Sequence, residues 1–268
     1  MKYLFFAILL LPEMGWGQES EISLESVQSL LVEAPLTEKL GMRGTGFVIK
    51  SKTRYYLITN WHIVTHRNAW DNSWMDEIHV IPDSIKIMHN SKGVGNYSLR
   101  TEALLDKDKK PLYHVFRSEK SIVDVVAIPL KDTIGLDIYP VNYSITYSDL
   151  RITPTNMVFV VGFPKGKKFS ESGNQYLPIW KSGTIASEPD VNEGGKPIIW
   201  LDLQGYTGMS GSPVYFITRE KVLRNGGRVV SGTQQTFFMG VFSHIAPEIN
   251  LGALWKSTFL KEKFDSLP

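Results

Sequence analysis

A serine hydroxyl attacks a carbonyl only when a base removes its proton, and the oxyanion that forms needs amide donors nearby. Residues 208–213, Gly208-Met-Ser-Gly-Ser-Pro213, have the composition for both tasks. The glycines permit a tight turn that side chains would obstruct. Such a turn holds the Ser210 hydroxyl outward and aims the amides of Gly208 and Ser210 at one spot. Gly-x-Ser-Gly also arises by chance in loops, so its weight depends on a base and an acid elsewhere in the chain.

The base must come from six histidines: His62, His66, His79, His89, His114 and His244. His62 stands out because it follows the apolar run Tyr55 to Ile58, in Thr59-Asn-Trp-His-Ile-Val64, at the end of a buried strand. The other five lie in polar or alternating contexts and read as surface residues. His62 and His66 are four apart, like a metal-ligand pair, but no third ligand follows, so no metal site and no cofactor is expected. The acid is Asp124, inside the otherwise apolar run Ile122-Val-Asp-Val-Val-Ala-Ile128. A lone buried carboxylate is costly unless paired or hydrogen-bonded. Asp124 is therefore expected to face a histidine; the alternative is an edge-strand carboxylate facing solvent.

These three segments resemble the motifs of the chymotrypsin-like (trypsin-like) serine proteases, in that family's order of His, Asp, Ser. His62 precedes Asp124 by 62 residues and Asp124 precedes Ser210 by 86. Gly44-Thr-Gly-Phe47, Val161-Gly-Phe-Pro164 and Gly240-Val-Phe-Ser243 fall where the family has similar segments. The likeness covers roughly residues 40 to 265 and is greatest to the disulfide-free bacterial branch, such as the HtrA protease domain, here without an appended PDZ domain. The order excludes the α/β-hydrolases, which run Ser, acid, His.

The resemblance implies a role for each matching residue. Ser210 is the nucleophile, His62 the general base and then acid, and Asp124 the group that orients the imidazole. The amides of Gly208 and Ser210 form the oxyanion hole. Ser243 matches the serine beside the buried Asp, and a protein or peptide substrate lies extended along Ser243, His244 and Ile245. Gln204 replaces the acid that selects Lys or Arg, and Ile245 matches a pocket-wall position. Both point to a small or medium apolar residue at the cleavage site, with His244 leaving an acidic preference open. Met209 stands where zymogen-activated members carry an Asp, and no Ile-Val-Gly-Gly start is present, so no such activation is expected.

Positioning these residues requires a strand-rich scaffold. Strands are expected at residues 44–50, 54–59, 77–81, 84–89, 121–130, 157–162, 181–187, 198–203, 212–217, 228–231 and 236–243, with turn residues between them. Residues 257–264 read as a helix. The fold class is all-β, with two six-stranded antiparallel β-barrels and a short C-terminal helix. The expected layout is a signal peptide at 1–17, a lead-in segment at 18–40 and a peptidase domain at 41–268. Barrel one runs from about 41 to 145 and barrel two from about 150 to 268. The long segments 66–111 and 218–236 read as loops able to cover the cleft.

The chain has 268 residues, 43% hydrophobic, 21% charged, with a net charge of +2 and no cysteine. That balance gives no sign of nucleic-acid binding. Met1-Lys2, the apolar run Tyr3 to Leu11 and the small residues Gly15 and Gly17 match a secretory signal, too short to span a bilayer. The expectation is a secreted or periplasmic serine endopeptidase with no membrane span after signal removal. The alternatives are an inert trypsin-fold binding protein and an esterase on the same fold.

Overall fold

A computed structural model describes residues 22–93, 96–119, 121–166, 176–246 and 248–268. The expected signal peptide lies outside the described residues. A short helix, α1 (Leu24–Gln28), leads into β1 (Ser29–Pro35), β2 (Gly41–Ser51) and β3 (Arg54–Thr59). The short helix α2 (Trp61–Thr65) follows, then β4 (Ser84–Asn90), β5 (Tyr97–Ala103), β6 (His114–Arg117) and β7 (Ile122–Pro129). The second half contains β8 (Met157–Gly162), β9 (Ile179–Ile185), β10 (Ile198–Asp202), β11 (Pro213–Val222), β12 (Arg228–Ala246) and β13 (Leu251–Lys256), and ends in α3 (Ser257–Asp265).

The fold is the trypsin-like arrangement of two antiparallel β units. The second is a closed six-stranded barrel in the order β10-β13-β12-β11-β8-β9. The first differs in detail from the expected six strands: among the described residues it has seven, ordered β5-β4-β1-β2-β3-β7-β6, with no hydrogen-bonded closure between β5 and β6. Residues 18–40, expected only to lead in, supply β1, which pairs with both β2 and β4. The expected strand at 77–81 does not form, whereas β5, β6 and β13 do. The segment 218–236 is mostly hairpin rather than loop: Thr218 pairs with Gln235 and Val222 with Arg228.

Strand alternation explains where the core sits. On β2 and β3, Phe47, Ile49, Tyr56 and Ile58 face the second barrel and pack with Val161, Phe238 and Trp255. Val48 and Leu57 point the other way, into the first unit beside Val32, Ile63 and Val126. Both faces are thus buried, which suits their runs of β-branched and aromatic residues. The second barrel has its own core, built on Val160, Leu201, Met209, Val214 and Leu254. Helix α3 closes the seam between the units with Leu260 and Phe264. The Tyr56 hydroxyl donates to the Pro268 carbonyl at 2.6 Å, tying the C-terminus to β3.

Candidate active site

β3 ends at Thr59 and hands the chain to α2, which carries His62 in its first turn. α2 stops after five residues because His66 adopts the left-handed conformation, its φ being +56°, and its amide caps the His62 carbonyl at 2.9 Å. The adjacent strand β7 presents Asp124. Thr59 pairs with Val126, so Asp124 lies just beyond the end of β3, beside the start of α2. Two bonds then join the residues: the His62 Nδ1–H donates to Asp124 Oδ2 at 2.8 Å and the His62 amide to Oδ1 at 2.9 Å. Asn60 Nδ2 donates to the Asp124 carbonyl at 2.5 Å, fixing the strand itself.

Asp124 is buried, with 1% of its surface exposed, so the solvent-facing alternative does not apply. Burial pushes its carboxyl up. The positive charge that His62 can carry, and hydrogen bonds from His62 and Ser243, outweigh this and hold it below the usual carboxylate value. The Ser243 hydroxyl donates to Asp124 Oδ2 at 2.5 Å. Ser243 and His244 fall in a break of register between β12 and β13, after the pair Phe242–Leu254 and before Ile245–Gly252. Such an irregularity re-aims side chains, here turning Ser243 inward.

The Ser210 turn is pinned to the same corner. Gly208 and Gly211 have φ of +94° and +85°, conformations that side-chain-bearing residues rarely adopt. The Gly211 amide donates to the Phe242 carbonyl and the Phe242 amide to the Ser212 carbonyl, each at 2.9 Å. From the first unit, the Thr45 amide donates to the Ser210 carbonyl at 2.8 Å, and Thr45 Oγ1 donates to the Gly208 carbonyl at 2.9 Å. Thr59 Oγ1 donates to the Thr45 carbonyl at 2.8 Å. Thr45 therefore joins the Ser210 turn to the strand end that leads to His62. Gly44 is packed so tightly that a Cβ there would overlap Ile63 of α2 and lie 3.0 Å from the Ser210 carbonyl. Among the described residues, the amides of Gly208 and Ser210 donate to no protein acceptor, and the half-buried Ser210 hydroxyl makes no hydrogen bond.

Residues 44–223 match the trypsin-like peptidase domain, a span that includes His62, Asp124 and Ser210. The chain belongs to the trypsin-like peptidase family. It is accordingly a serine endopeptidase, a hydrolase acting on peptide substrates. The family match ends before Ser243, His244 and Ile245; the structure places Ser243 against Asp124, with His244 beside it. A search of curated proteins finds no match. Among solved structures, Deg5 aligns with a TM-score of 0.50 at 15% identity, over 88% of this chain and 87% of that one. A Glu endopeptidase aligns with a TM-score of 0.45 at 17% identity, over 89% and 88%. A serine endoprotease from Yersinia pestis aligns with a TM-score of 0.45 at 14% identity, over 92% of this chain and 68% of that one. At 15% identity the likeness to Deg5 concerns the fold alone.

In this trypsin-like peptidase Gln204 is exposed, whereas Ile245 reaches across to the neighbouring wall. A Cβ on Gly205 would lie 2.5 Å from Ile245 Cδ1, and one on Gly252 would lie 2.6 Å from Phe242 Cε2. The space between these two glycines is thus filled by Ile245 and Phe242. On the other side of Gly208, a cleft of about 470 Å³ is lined by Lys39, Arg43, Lys165 and Thr207.

Two further histidines differ from expectation. His66 and His89 are buried, not at the surface. His66 Nε2 lies 3.2 Å from Asp76 Oδ1, an ion-pair contact without hydrogen-bond alignment. The segment that begins there crosses to the second barrel. The Trp70 ring meets His244 edge-on at 5.3 Å, and Lys196 Nζ sits 3.5 Å from the Trp70 ring centre. Thr45 and Trp70 were not singled out from the sequence. Thr45 lies within the Gly44-Thr-Gly46 signal, but nothing local marks Trp70, whose ring partners Trp200, His244 and Lys196 are more than a hundred residues away.

Proposed function

We propose that the chain is an exported serine endopeptidase that cleaves through an acyl-enzyme with His62, Asp124 and Ser210. The two-point attachment of His62 to buried Asp124 carries this reading. It leaves the proton on Nδ1 and the lone pair on Nε2, the state a general base requires. Ser210 attacks the scissile carbonyl as His62 accepts its proton. His62 then returns that proton to the departing amine, and a water repeats the sequence to release the acyl group. Asp124 stabilises the imidazolium in both halves. The amides of Gly208 and Ser210 bind the oxyanion, and losing one such donor typically costs ~10²–10³ in rate. Substrate adds as a strand beside Ser243 to Ile245.

Ile245 and Phe242 leave little depth between Gly205 and Gly252, which supports cleavage after small apolar residues. Removal of residues 1–17 would release the mature chain to the periplasm or the medium. One observation favours an inert binding protein instead: the Ser210 hydroxyl has no hydrogen bond to His62. Free proteases often tighten that contact only when substrate binds. Labelling with a fluorophosphonate probe separates the readings. Wild type should label and Ser210→Ala should not; equal labelling, or none on folded protein, would defeat the enzyme reading.

A further inference from the structure

A serine hydroxyl carries a single proton, and an ionised carboxylate only accepts hydrogen bonds. Ser243 donates its proton to Asp124 Oδ2. His244 Nδ1 lies 3.0 Å from the same Ser243 oxygen, which has no second proton to give. The donor in that contact is therefore His244, with its proton on Nδ1. The result is a continuous chain: His244 Nδ1–H to Ser243 Oγ–H to Asp124, which also receives Nδ1–H of His62.

We propose that His244 is a positioning residue for the peptidase reaction, holding the Ser243 hydroxyl on Asp124 and so fixing the carboxylate that orients His62. The proposal rests on the serine-endopeptidase reading above. Without the imidazole donor, the Ser243 hydroxyl keeps a second acceptor direction empty and can rotate away from Asp124. With it, the hydroxyl is held from both sides. His244 is itself held: the register break between β12 and β13 sets its backbone, and Trp70 of the first unit closes over its ring edge. Asp124, His62, Glu248 and Lys196 are the charged or titratable groups around it. Burial lowers its proton affinity, consistent with a neutral ring that carries one N–H. Trp70 belongs to the unit that supplies His62 and Asp124, while Ser210, Ser243 and His244 belong to the other. The contact thus braces the network across the seam.

The test compares wild type with His244→Phe and His244→Asn. Phenylalanine keeps a ring for Trp70 but offers no donor. Asparagine places its side-chain NH₂ at the same distance from the backbone as Nδ1. Peptide hydrolysis by His244→Phe should show kcat reduced about tenfold, the scale of one hydrogen bond to a charged network, with KM within about twofold. His244→Asn should recover most of kcat. Equal kcat in both variants, or a change confined to KM, would overturn the proposal; the latter would make His244 a substrate contact. Nitrogen-15 spectra of histidine-labelled wild type give an independent reading that needs no variant to fold. A neutral His244 protonated at Nδ1 is expected, and an Nε2-protonated ring would refute the chain of bonds. Absence of Ser210-dependent activity in wild type would count against the peptidase reading, while the spectra would still judge the bonds.

Discussion

Gly211 lies against Thr45 so closely that any side chain at 211 would overlap the Thr45 carbonyl oxygen and come within 2.7 Å of Thr59 Oγ1. The contact joins the turn after Ser210 to β2 and, through Thr59, to the end of the strand that leads to His62. A glycine is required twice over, by this approach and by a φ of +85°. Gly211→Ala should therefore cost ~1–3 kcal/mol from backbone strain alone, with the overlap added. Chemical denaturation should register the loss. Fluorophosphonate labelling should fall further than the fraction unfolded explains, because the turn cannot shift without moving Ser210. Unchanged labelling in folded G211A would contradict this coupling.

On the proposed reading, Ile245 sets the depth of the specificity pocket. Its Cδ1 approaches Gly205, with Phe242 behind it against Gly252. Ile245→Gly should raise kcat/KM for substrates with Leu or Phe at the cleavage site by roughly 10–100-fold relative to Ala, the span typical of apolar pocket changes. Profiling both proteins with one peptide library decides the matter. An unchanged preference would mean that the pocket lies elsewhere.

Met209 anchors the turn that carries Ser210 by burial. Its side chain is fully enclosed in the second-barrel core with Val160, Leu201 and Val214. No charged partner is needed at this position, so a chain beginning at Gln18 should label without further trimming. Intact mass measured on the labelled protein provides the check, and labelling seen only on shorter species would sink the idea. Met209→Ala should lower stability by ~2–5 kcal/mol, as core truncations do, and reduce the labelling rate with it.

His89 on β4 gives the fold an acid-sensitive point. Burial, then the charge of Arg100, pushes its pKa down from 6.5 to about 4. The unfolded chain takes up the proton first as pH falls, so stability is complete above 6.5, declines between 6.5 and about 4, and levels off below. The decline from this residue should be on the order of 3 kcal/mol. Urea unfolding of wild type and His89→Gln across that range should show a steeper acid loss in wild type. Parallel curves would rule His89 out.

The chemistry-bearing residues were legible because their local context is anomalous. Asp124 is a carboxylate in a run of valines and isoleucines, and only a partner makes that tolerable. His62 follows a buried strand, and Ser210 lies among glycines. The β-branched and aromatic runs of β2, β3, β7 and β8 were equally plain. β1 was obscured because its apolar residues also suit a helix, and pairing with β2 and β4 decided the matter. β5 was obscured because it alternates exposed residues with half-buried or buried ones and carries two charges, Arg100 and Glu102.

Residue types alone thus determined which candidate acid, base and nucleophile the chain offers, since desolvation and nucleophile activation constrain type directly. Their assembly was decided only in three dimensions. Thr45 linking Gly208 and Ser210 to β3, Ile245 filling the space beside Gly205, and Trp70 closing on His244 are contacts between distant segments. No periodicity records such pairings, because each depends on how segments distant in the chain pack in three dimensions. The peptidase residues are written in the chain; the seam that makes them a site comes from burying Phe47, Tyr56 and Trp255 together.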